Sequence, residues 1–254
     1  MTYLIFFDID NTLLETGKSR VSANTKKMIQ HLSKREDVIL GISTGRGPTR
    51  LDEVKDILKY FDALVLGNGC YIKLFNKLIY TNFFSKEELK QINDVVKNFE
   101  GVYLGGSTIK HPFILDKKAK TINRQEKVYS IDEIGDETCH LWINGHDFES
   151  LKPIQEKLSP YFDTYVQEKP GLDIVHKGDG KFKGIEIVRK ELNLKTTLIC
   201  CGDGQNDYEM IKNADIGICM SNTNFPELKK VCQYVAPPVS EDKWFEFFQE
   251  IKIL

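Results

Sequence analysis

Apolar runs alternate with amphipathic stretches at the start of the chain. The runs Thr2–Phe7, Asp37–Ser43 and Ala63–Leu66 predict strands that are covered on both faces. Ser22–Lys34 has the spacing of an amphipathic helix, and a second helix is predicted over residues 48–60, with its proline in the first turn. This βαβαβ order predicts a doubly wound parallel sheet with right-handed crossovers.

The alternation stops after Gly69. Tyr71–Phe75 and Leu78–Phe83 predict a hairpin that turns at Asn76-Lys77. Beyond it, strands and helices follow each other without βα order, which indicates a separate α+β unit over residues 84–178. The predicted elements of this unit are helices at 85–99 and 148–158 and strands at 102–104, 138–143 and 164–167, and Gly178-Asp179-Gly180 is the predicted exit linker.

Regular alternation then resumes to the end of the sequence. The predicted elements are helices at 182–192, 206–213, 225–231 and 242–251 and strands at 197–201, 215–219 and 234–236. The sequence therefore predicts an α/β protein with a doubly wound parallel-sheet core. Residues 1–83 and 179–254 form this core in the prediction, and residues 84–178 form an inserted α+β cap.

The composition is that of an ordinary globular protein, with 41% apolar and 28% charged residues among 254. A net charge of −2 provides no general attraction to nucleic acid or to a membrane, so we expect neither as a partner. Asp8 interrupts the apolar start of the chain, and no apolar run approaches the roughly 20 residues that span a bilayer, which predicts a cytoplasmic protein. The six cysteines form no C-x-x-C pair, which predicts free, mostly buried thiols: Cys70, Cys139, Cys200, Cys201, Cys219 and Cys232.

Two acidic motifs stand at the ends of apolar runs. Asp8 and Asp10 follow the first predicted strand, and Asp203 follows the run Leu198–Cys201. Because ligands gather at the carboxyl ends of strands in open α/β sheets, we expect these carboxylates to lie side by side. Carboxylates this close repel each other unless a cation lies between them, and Mg²⁺ prefers such oxygen ligands together with waters and phosphate oxygens. The sequence therefore predicts a magnesium site.

The residue types around this site suit phosphoryl transfer. An aspartate in such a site can attack phosphorus, and a second aspartate can protonate the leaving oxygen and later deprotonate water. The transferring phosphoryl group also needs fixed donors and cations around it. Thr44 offers a hydroxyl, Lys181 a positive charge and Asn206 a side-chain amide. Each signal is weak alone, and the prediction depends on their order and spacing together.

The chain resembles the haloacid dehalogenase superfamily, and within it the Cof-type phosphatases with a large α/β cap. Asp8–Thr12 matches the motif D-x-D-x-T, Thr44 the Ser/Thr of the second motif in the form S-T-G-R, and Gly202–Asp207 the motif G-D-x-x-N-D. The resemblance covers essentially the whole chain. It implies that Asp8 is the nucleophile and Asp10 the general acid and base. The resemblance also implies that magnesium is held by Asp8, the Asp10 backbone carbonyl and Asp203. It implies that phosphate is held by Thr44, the Ile9 and Gly45 amides, Lys181 and Asn206. Asp207 would orient the lysine or a metal-bound water.

The phosphate-binding lysine has two candidates. Members of the family commonly carry lysine directly before glycine, which favours Lys183. The spacing back from Leu192-Asn193-Leu194 and the pattern K-x-x-G-I favour Lys181 instead. We assign the role to Lys181, with Lys183 as the alternative.

The function implied by the resemblance is magnesium-dependent hydrolysis of small phosphorylated metabolites, such as sugar phosphates, through an aspartyl-phosphate intermediate. An acid and base at Asp10 also fits a phosphomutase, which is the alternative within the superfamily. A domain that binds phosphorylated metabolites without catalysis is the alternative from another class. The sequence identifies neither the physiological substrate, nor the oligomeric state, nor the cap residues that set specificity. His111, His140 and Trp142 come into question as substrate contacts, but residues of these types more often lie in a core or at a surface.

Overall fold

Two sheets form the framework of the protein, whose computed structural model describes residues 2–115 and 128–254. The strands are β1 (Thr2–Phe7), β2 (Val38–Ser43), β3 (Ala63–Leu66), β4 (Tyr71–Leu74), β5 (Lys77–Thr81), β6 (Tyr103–Thr108), β7 (Pro112–Ile114), β8 (Thr138–Asn144), β9 (Phe162–Val166), β10 (Gly171–His176), β11 (Thr196–Gly202), β12 (Ile216–Met220) and β13 (Tyr234–Ala236). The α-helices are α1 (Ala23–Leu32), α2 (Lys86–Val96), α3 (Lys152–Leu158), α4 (Lys181–Leu192), α5 (Tyr208–Lys212), α6 (Leu228–Val231) and α7 (Trp244–Glu250).

The larger sheet has the strand order β13-β12-β11-β1-β2-β3-β4-β5. The six strands from β13 to β3 run parallel, and the hairpin β4–β5 adds an antiparallel edge. In the register of the central strands, Phe7 stands opposite Cys201 on one side and Ile42 on the other. The residues that follow β1, β2 and β11 therefore emerge at the same edge of the sheet.

The central strand β1 is buried on both faces, as its continuous apolar sequence predicts. Phe6 packs into the hydrophobic cluster on one face of the sheet and Phe7 into the cluster on the other. The Phe7 ring stacks on Phe248 with centroids 5.8 Å apart and meets the edge of Trp244 at the same distance. The indole nitrogen of Trp244 donates a hydrogen bond to the Thr12 carbonyl at 2.7 Å, so helix α7 supports the loop after β1.

The smaller sheet is antiparallel, with the strand order β7-β6-β8-β10-β9, and it has a hydrophobic core of its own. Helices α2 and α3 pack on it through buried side chains such as Leu89 and Ile154. Ser85 and Glu88 form a capping box at the start of α2, which satisfies backbone amides of its first turn. The predicted fold class is confirmed. A parallel α/β sheet forms the core, and a second, mixed unit is inserted between β5 and α4.

The prediction of a helix over residues 48–60 is wrong. Two 3₁₀ turns, Asp52–Val54 and Leu58–Tyr60, occupy this stretch instead. The buried apolar residues Leu51, Val54 and Ile57 recur every three positions, and this spacing suits a 3₁₀ turn, in which residues i and i+3 lie on the same side.

The prediction also omitted two strands of the smaller sheet, β7 and β10. Strand β10 carries Asp173 in its centre, and a carboxylate in the middle of a short apolar run argues against a buried strand. Three predicted helices are clearly shorter than expected, because 3₁₀ turns at Glu149–Leu151 and Gln205–Asp207 precede α3 and α5 and because α6 has only four residues. The boundaries of the cap at residues 84 and 178 stay predictions.

None of the helices in the described part of the chain combines the length and the apolar character needed to cross a membrane. All six cysteines are free, and all but Cys232 are buried, as the sequence predicts.

Candidate active site

The carboxylates of Asp8 and Asp203 meet where β1 and β11 end side by side. The Asp8 amide donates a hydrogen bond to the Cys201 carbonyl at 2.9 Å, which continues the pairing of the two strands by one residue. Asp8, Asp203 and Asp207 each place a carboxylate oxygen within 4.8 Å of the others. The structure thus brings together the two acidic motifs that the sequence places far apart.

Lys181, the first residue of α4, is enclosed in this cluster. Its ammonium group lies 2.6 Å from Asp8 Oδ1 and 2.6 Å from Asp207 Oδ1, and its side chain is 1% exposed. Lys183, the alternative for this role, has a half-exposed side chain and pairs with Asp179. Of the two lysines, Lys181 is therefore the one that contacts the candidate nucleophile.

Asp207 has no exposed surface and is bound through both of its carboxylate oxygens. Oδ1 accepts from Lys181, while Oδ2 accepts from the backbone amides of Asp203 at 2.9 Å and Gly204 at 2.8 Å. A carboxylate held by three donors is fixed in position. Asp207 therefore orients the lysine and shapes the loop that carries Asp203, and this arrangement supports the positioning role predicted for it.

The electrostatics of the cluster are dominated by burial and by the excess of negative charge. Burial raises the pKa of Asp8 to about 7, and neighbouring Asp207 and Asp10 add to this effect against the opposing charge of Lys181. The pKa of Asp203 is raised as well, by burial and by the Asp8 and Asp207 carboxylates. Burial disfavours the charged form of Lys181, but Asp207 and Asp8 outweigh it and raise its pKa.

The donor set of this cluster fits a divalent cation. Three carboxylates converge while one ammonium group compensates only part of their charge, and oxygen ligands of this kind are those that Mg²⁺ takes. Asp8 and Asp203 are the residues best placed to hold such an ion, because the oxygens of Asp207 are already bound by Lys181 and backbone amides. The hydroxyl of Thr12 approaches Asp203 Oδ1 at 3.4 Å from the other strand end.

The side chain of Asp10 turns away from this cluster and pairs with Arg46. Its two oxygens accept hydrogen bonds from Arg46 Nε at 2.9 Å and from Nη2 at 2.7 Å. Nη1 of the same guanidinium donates to Glu53 at 2.8 Å and to the Arg50 carbonyl at 3.0 Å. Sequence reasoning gave Arg46 no role, although the residue stands in the S-T-G-R segment on which the second motif was identified.

The residues that follow β2 and β3 form a polar floor beside Asp8. Thr44 is buried, and its carbonyl accepts from the Asn68 amide at 3.0 Å while its hydroxyl accepts from the Arg46 amide at 3.2 Å. Asn206 donates from its side chain to Asn68 Oδ1 at 3.0 Å. Asn68 is the link that sequence reasoning missed, since Gly67-Asn68-Gly69 has the composition of a simple turn.

Asp173 of β10 brings the cap into contact with this polar floor. Its carboxylate accepts from Asn68 at 3.1 Å and from Gln167 at 2.7 Å, and it lies 3.2 Å from Nε2 of His140. These partners outweigh burial and lower the pKa of Asp173. A Cβ atom at Gly45 would lie 2.8 Å from Asp173 Oδ2, so a larger residue at this position would force the Asp173 carboxylate to shift.

A cavity of about 770 Å³ lies between the core and the cap. The predicted site residues among its lining are Asp8, Asp10, Thr44, Gly45, Asp203 and Asn206, and Lys181 lies just beneath Asp8. Ile9 and Asp207 are fully buried behind this surface. Of the three candidates for cap contacts, His140 and Trp142 line the cavity, whereas His111 stacks on Tyr129 at 4.9 Å and is not part of the lining.

Comparisons with known proteins show what the chain resembles. A family model described as haloacid dehalogenase-like hydrolase matches residues 5–243. A Bacillus subtilis protein named "Putative phosphatase YkrA" is 27% identical over 256 residues, which cover 94% of this chain and 93% of that protein. The 5-amino-6-(5-phospho-D-ribitylamino)uracil phosphatase YcsE of the same bacterium is 24% identical, with 94% of this chain and 91% of that protein covered.

Solved structures share the fold over the whole chain. The subclass IIB sugar phosphatase BT4131 is 23% identical with a TM-score of 0.83, and the match covers 100% of both chains. The phosphatase BT1666 from Bacteroides thetaiotaomicron is 20% identical with a TM-score of 0.85, and the match covers 100% of this chain and 96% of the other. These likenesses show that the larger sheet with its inserted cap is a known arrangement.

We predict that Lys181→Met strongly destabilises the protein, whereas Lys183→Met does not. Loss of the buried ammonium leaves Asp8 and Asp207 uncompensated, which costs about 3–5 kcal/mol for a buried pair. The loss at Lys183 should be smaller, because its ammonium is half-exposed and its buried partner Asp179 keeps a hydrogen bond from Asn82. Urea unfolding at neutral pH measures both losses. The Lys181→Met loss should shrink as the pH falls, because protonation of Asp8 removes one uncompensated charge, and equal losses in the two variants would contradict the prediction.

Proposed function

Since the chain belongs to the haloacid dehalogenase-like hydrolases, we propose that it is a magnesium-dependent phosphatase of small phosphorylated metabolites that works through an aspartyl-phosphate intermediate. The observation that carries the proposal is the position of Asp8. Its carboxylate is fixed by Lys181 on one oxygen, adjoins Asp203, and lines a cavity large enough for a metabolite. Relatives of similar length bear the name of phosphatases.

The proposed first step is attack by the Asp8 carboxylate on phosphorus. A bond forms between the aspartate oxygen and phosphorus as the bond from phosphorus to the leaving oxygen breaks, and Asp10 gives that oxygen a proton. Lys181 holds Asp8 in place and offsets the negative charge that gathers around it. Thr44 and Asn206, which line the same cavity, supply donors for the phosphoryl oxygens.

The second step returns Asp8 to its free state. A water molecule attacks phosphorus, Asp10 takes its proton, and phosphate leaves with the two electrons of the bond to Asp8 returning to the carboxylate. When bound by Asp8, the Asp10 carbonyl and Asp203, magnesium supplies positive charge that offsets the charge of the phosphoryl oxygens. Transfer to water, and not back to the substrate, distinguishes this reaction from that of a mutase.

The face of the cap that lines the cavity is suited to a polar leaving group such as a sugar. His140, Trp142 and Asn144 occupy alternate positions of β8 and therefore project to one face of the sheet, and all three line the cavity. The Arg50 guanidinium lies 4.8 Å from the Trp142 ring centroid, so Arg50, a residue of the core, supports the Trp142 ring. We assign the recognition of the leaving group to this face of β8.

We predict that Asp8→Asn abolishes turnover while the protein stays folded. An amide cannot attack phosphorus, so magnesium-dependent release of phosphate from a panel of sugar phosphates should fall below about one-thousandth of the unmodified rate. Asp52→Asn is the matched control, because Asp52 lines the same cavity on an exposed turn.

In the unmodified enzyme, acid quenching during turnover should yield a hydroxylamine-sensitive phosphate on the peptide that contains Asp8. Persistent turnover in Asp8→Asn would refute the assignment of the nucleophile. Conversion of a hexose 1-phosphate into an isomeric sugar phosphate without release of phosphate would identify a mutase instead.

Asp10→Asn should discriminate between substrates by their leaving groups. General acid catalysis is worth about 10²–10⁴-fold, and it matters most for an alkoxide leaving group, which is strongly basic. We therefore expect kcat/KM for a sugar phosphate to fall by about 10²-fold or more, and that for p-nitrophenyl phosphate, whose leaving group needs little protonation, to fall much less. An equal loss for both substrates would mean that Asp10 does not protonate the leaving oxygen.

Magnesium should raise the melting temperature of the unmodified protein, because a ligand that binds only the folded state stabilises it. The cation relieves the repulsion between Asp8 and Asp203, so Asp203→Asn should reduce this shift by most of its size, whereas Asp52→Asn should leave it unchanged. Thermal unfolding monitored by circular dichroism gives this result without any assay of activity. A full shift in Asp203→Asn would exclude Asp203 as a ligand.

A further inference from the structure

Two cysteine thiols lie in contact at β12, the strand that pairs with β11 on the side away from β1. The Sγ atoms of Cys219, in β12, and Cys232, at the end of α6, are 3.0 Å apart. A disulfide has a sulfur–sulfur distance of about 2.05 Å, so an approach of about 1 Å joins the two atoms. Cys70 and Cys139, by contrast, direct their thiols to the backbone carbonyls of Asn82 and Ser107.

The two thiols differ in access. Cys219 has no exposed surface, whereas Cys232 follows the last turn of a short helix and is partly exposed. Burial raises the pKa of Cys219 to about 12, with the neighbouring Cys232 adding to the effect, so its sulfur is a protonated thiol at neutral pH. A disulfide reagent from solution therefore reaches Cys232 first. Cys219 is the nearby thiol that can then displace the part of the reagent bound to Cys232.

We propose that Cys219 and Cys232 form a dithiol site that small disulfides, such as the oxidised form of a cellular thiol, convert into an intramolecular disulfide. The Cys232 thiol gives its proton to solvent, and the resulting thiolate attacks one sulfur of the reagent to form a mixed disulfide. The thiolate released from the reagent takes up a proton from solvent. The sulfur of Cys219 then attacks Cys232, the second thiolate leaves, and the proton of Cys219 passes to it. Two electrons move from the protein to the reagent, which ends as two thiols.

The segment that this bond closes reaches the catalytic edge of the sheet. Thr223 lies within it and donates a hydrogen bond to the Asp203 carbonyl at 2.5 Å, and the next residue, Asn224, lines the cavity. Closing residues 219–232 into a loop restricts the unfolded chain, and in the loop-entropy account this stabilises the folded protein. The oxidised enzyme should therefore melt at a higher temperature than the reduced enzyme, with Asp203 held in place from this side.

The test is incubation of the reduced, full-length protein with glutathione disulfide, followed by alkylation, intact-mass measurement and peptide mapping. The expected product has lost two hydrogen atoms, about 2 Da, and links the peptides that contain Cys219 and Cys232. Its melting temperature should exceed that of the reduced protein, and dithiothreitol should reverse both changes. This experiment does not depend on turnover, so its outcome is independent of the proposed phosphatase activity.

Two variants test the order of events. Cys219→Ala should stop at the mixed disulfide, with one glutathione retained on Cys232, whereas Cys70→Ser should form the 219–232 bond as the unmodified protein does. A stable mixed disulfide on Cys232 in the unmodified protein would overturn the proposal. Free thiols at both positions after incubation, or a bond between other cysteines, would overturn it as well.

Discussion

The ion pairs of Lys181 with Asp8 and Asp207 are the interaction on which the rest of the structure depends. They join three segments that are remote in sequence: the end of β1, the turn before α5, and the first turn of α4, where the chain returns from the cap. A buried ion pair adds little to net stability, because desolvation offsets most of the attraction. Its value here is geometric, since it fixes the carboxylate of Asp8 and at the same time fixes the helix that follows the cap.

The same pairing explains why the site retains an excess of negative charge. Lys181 compensates one charge among the carboxylates of Asp8, Asp203 and Asp207, and burial raises the pKa of Asp8 and of Asp203. A site of this kind is costly to charge unless a cation enters it. The proposed chemistry follows from this imbalance, because a divalent cation would supply the missing positive charge and would then hold the negatively charged phosphate ester beside Asp8.

The sequence predicts most of the core and the central acidic cluster, because both depend on strand ends. Continuous apolar runs identify β1 and β11, and the rule that ligands gather at the carboxyl ends of strands places Asp8 beside Asp203 without knowledge of the cap. What could not be predicted depends on contacts between remote segments. The partner of Asp10 is Arg46, and Asn68 is bound by Asp173 of the cap, yet neither pair has a signal in sequence spacing. The 3₁₀ turns after Thr44 were mistaken for a helix because apolar residues three apart occur in both structures.

The clamp between Arg46 and Asp10 sets a condition on the proposed reaction. Both oxygens of Asp10 accept hydrogen bonds from the guanidinium, so the lone pairs that face away from Arg46 are those left for a substrate or a water molecule. In the proposed reaction the leaving oxygen must therefore reach Asp10 from the side that Arg46 leaves open. Arg46 is also bound to Glu53 and to the Arg50 carbonyl, and Arg50 lies over Trp142 on the cap face that we assign to the leaving group. Contacts therefore run without a break from Trp142 on this face of the cap, through Arg50 and Arg46, to the proposed acid, so the same guanidinium that fixes Asp10 is itself fixed by the turn that supports the cap face.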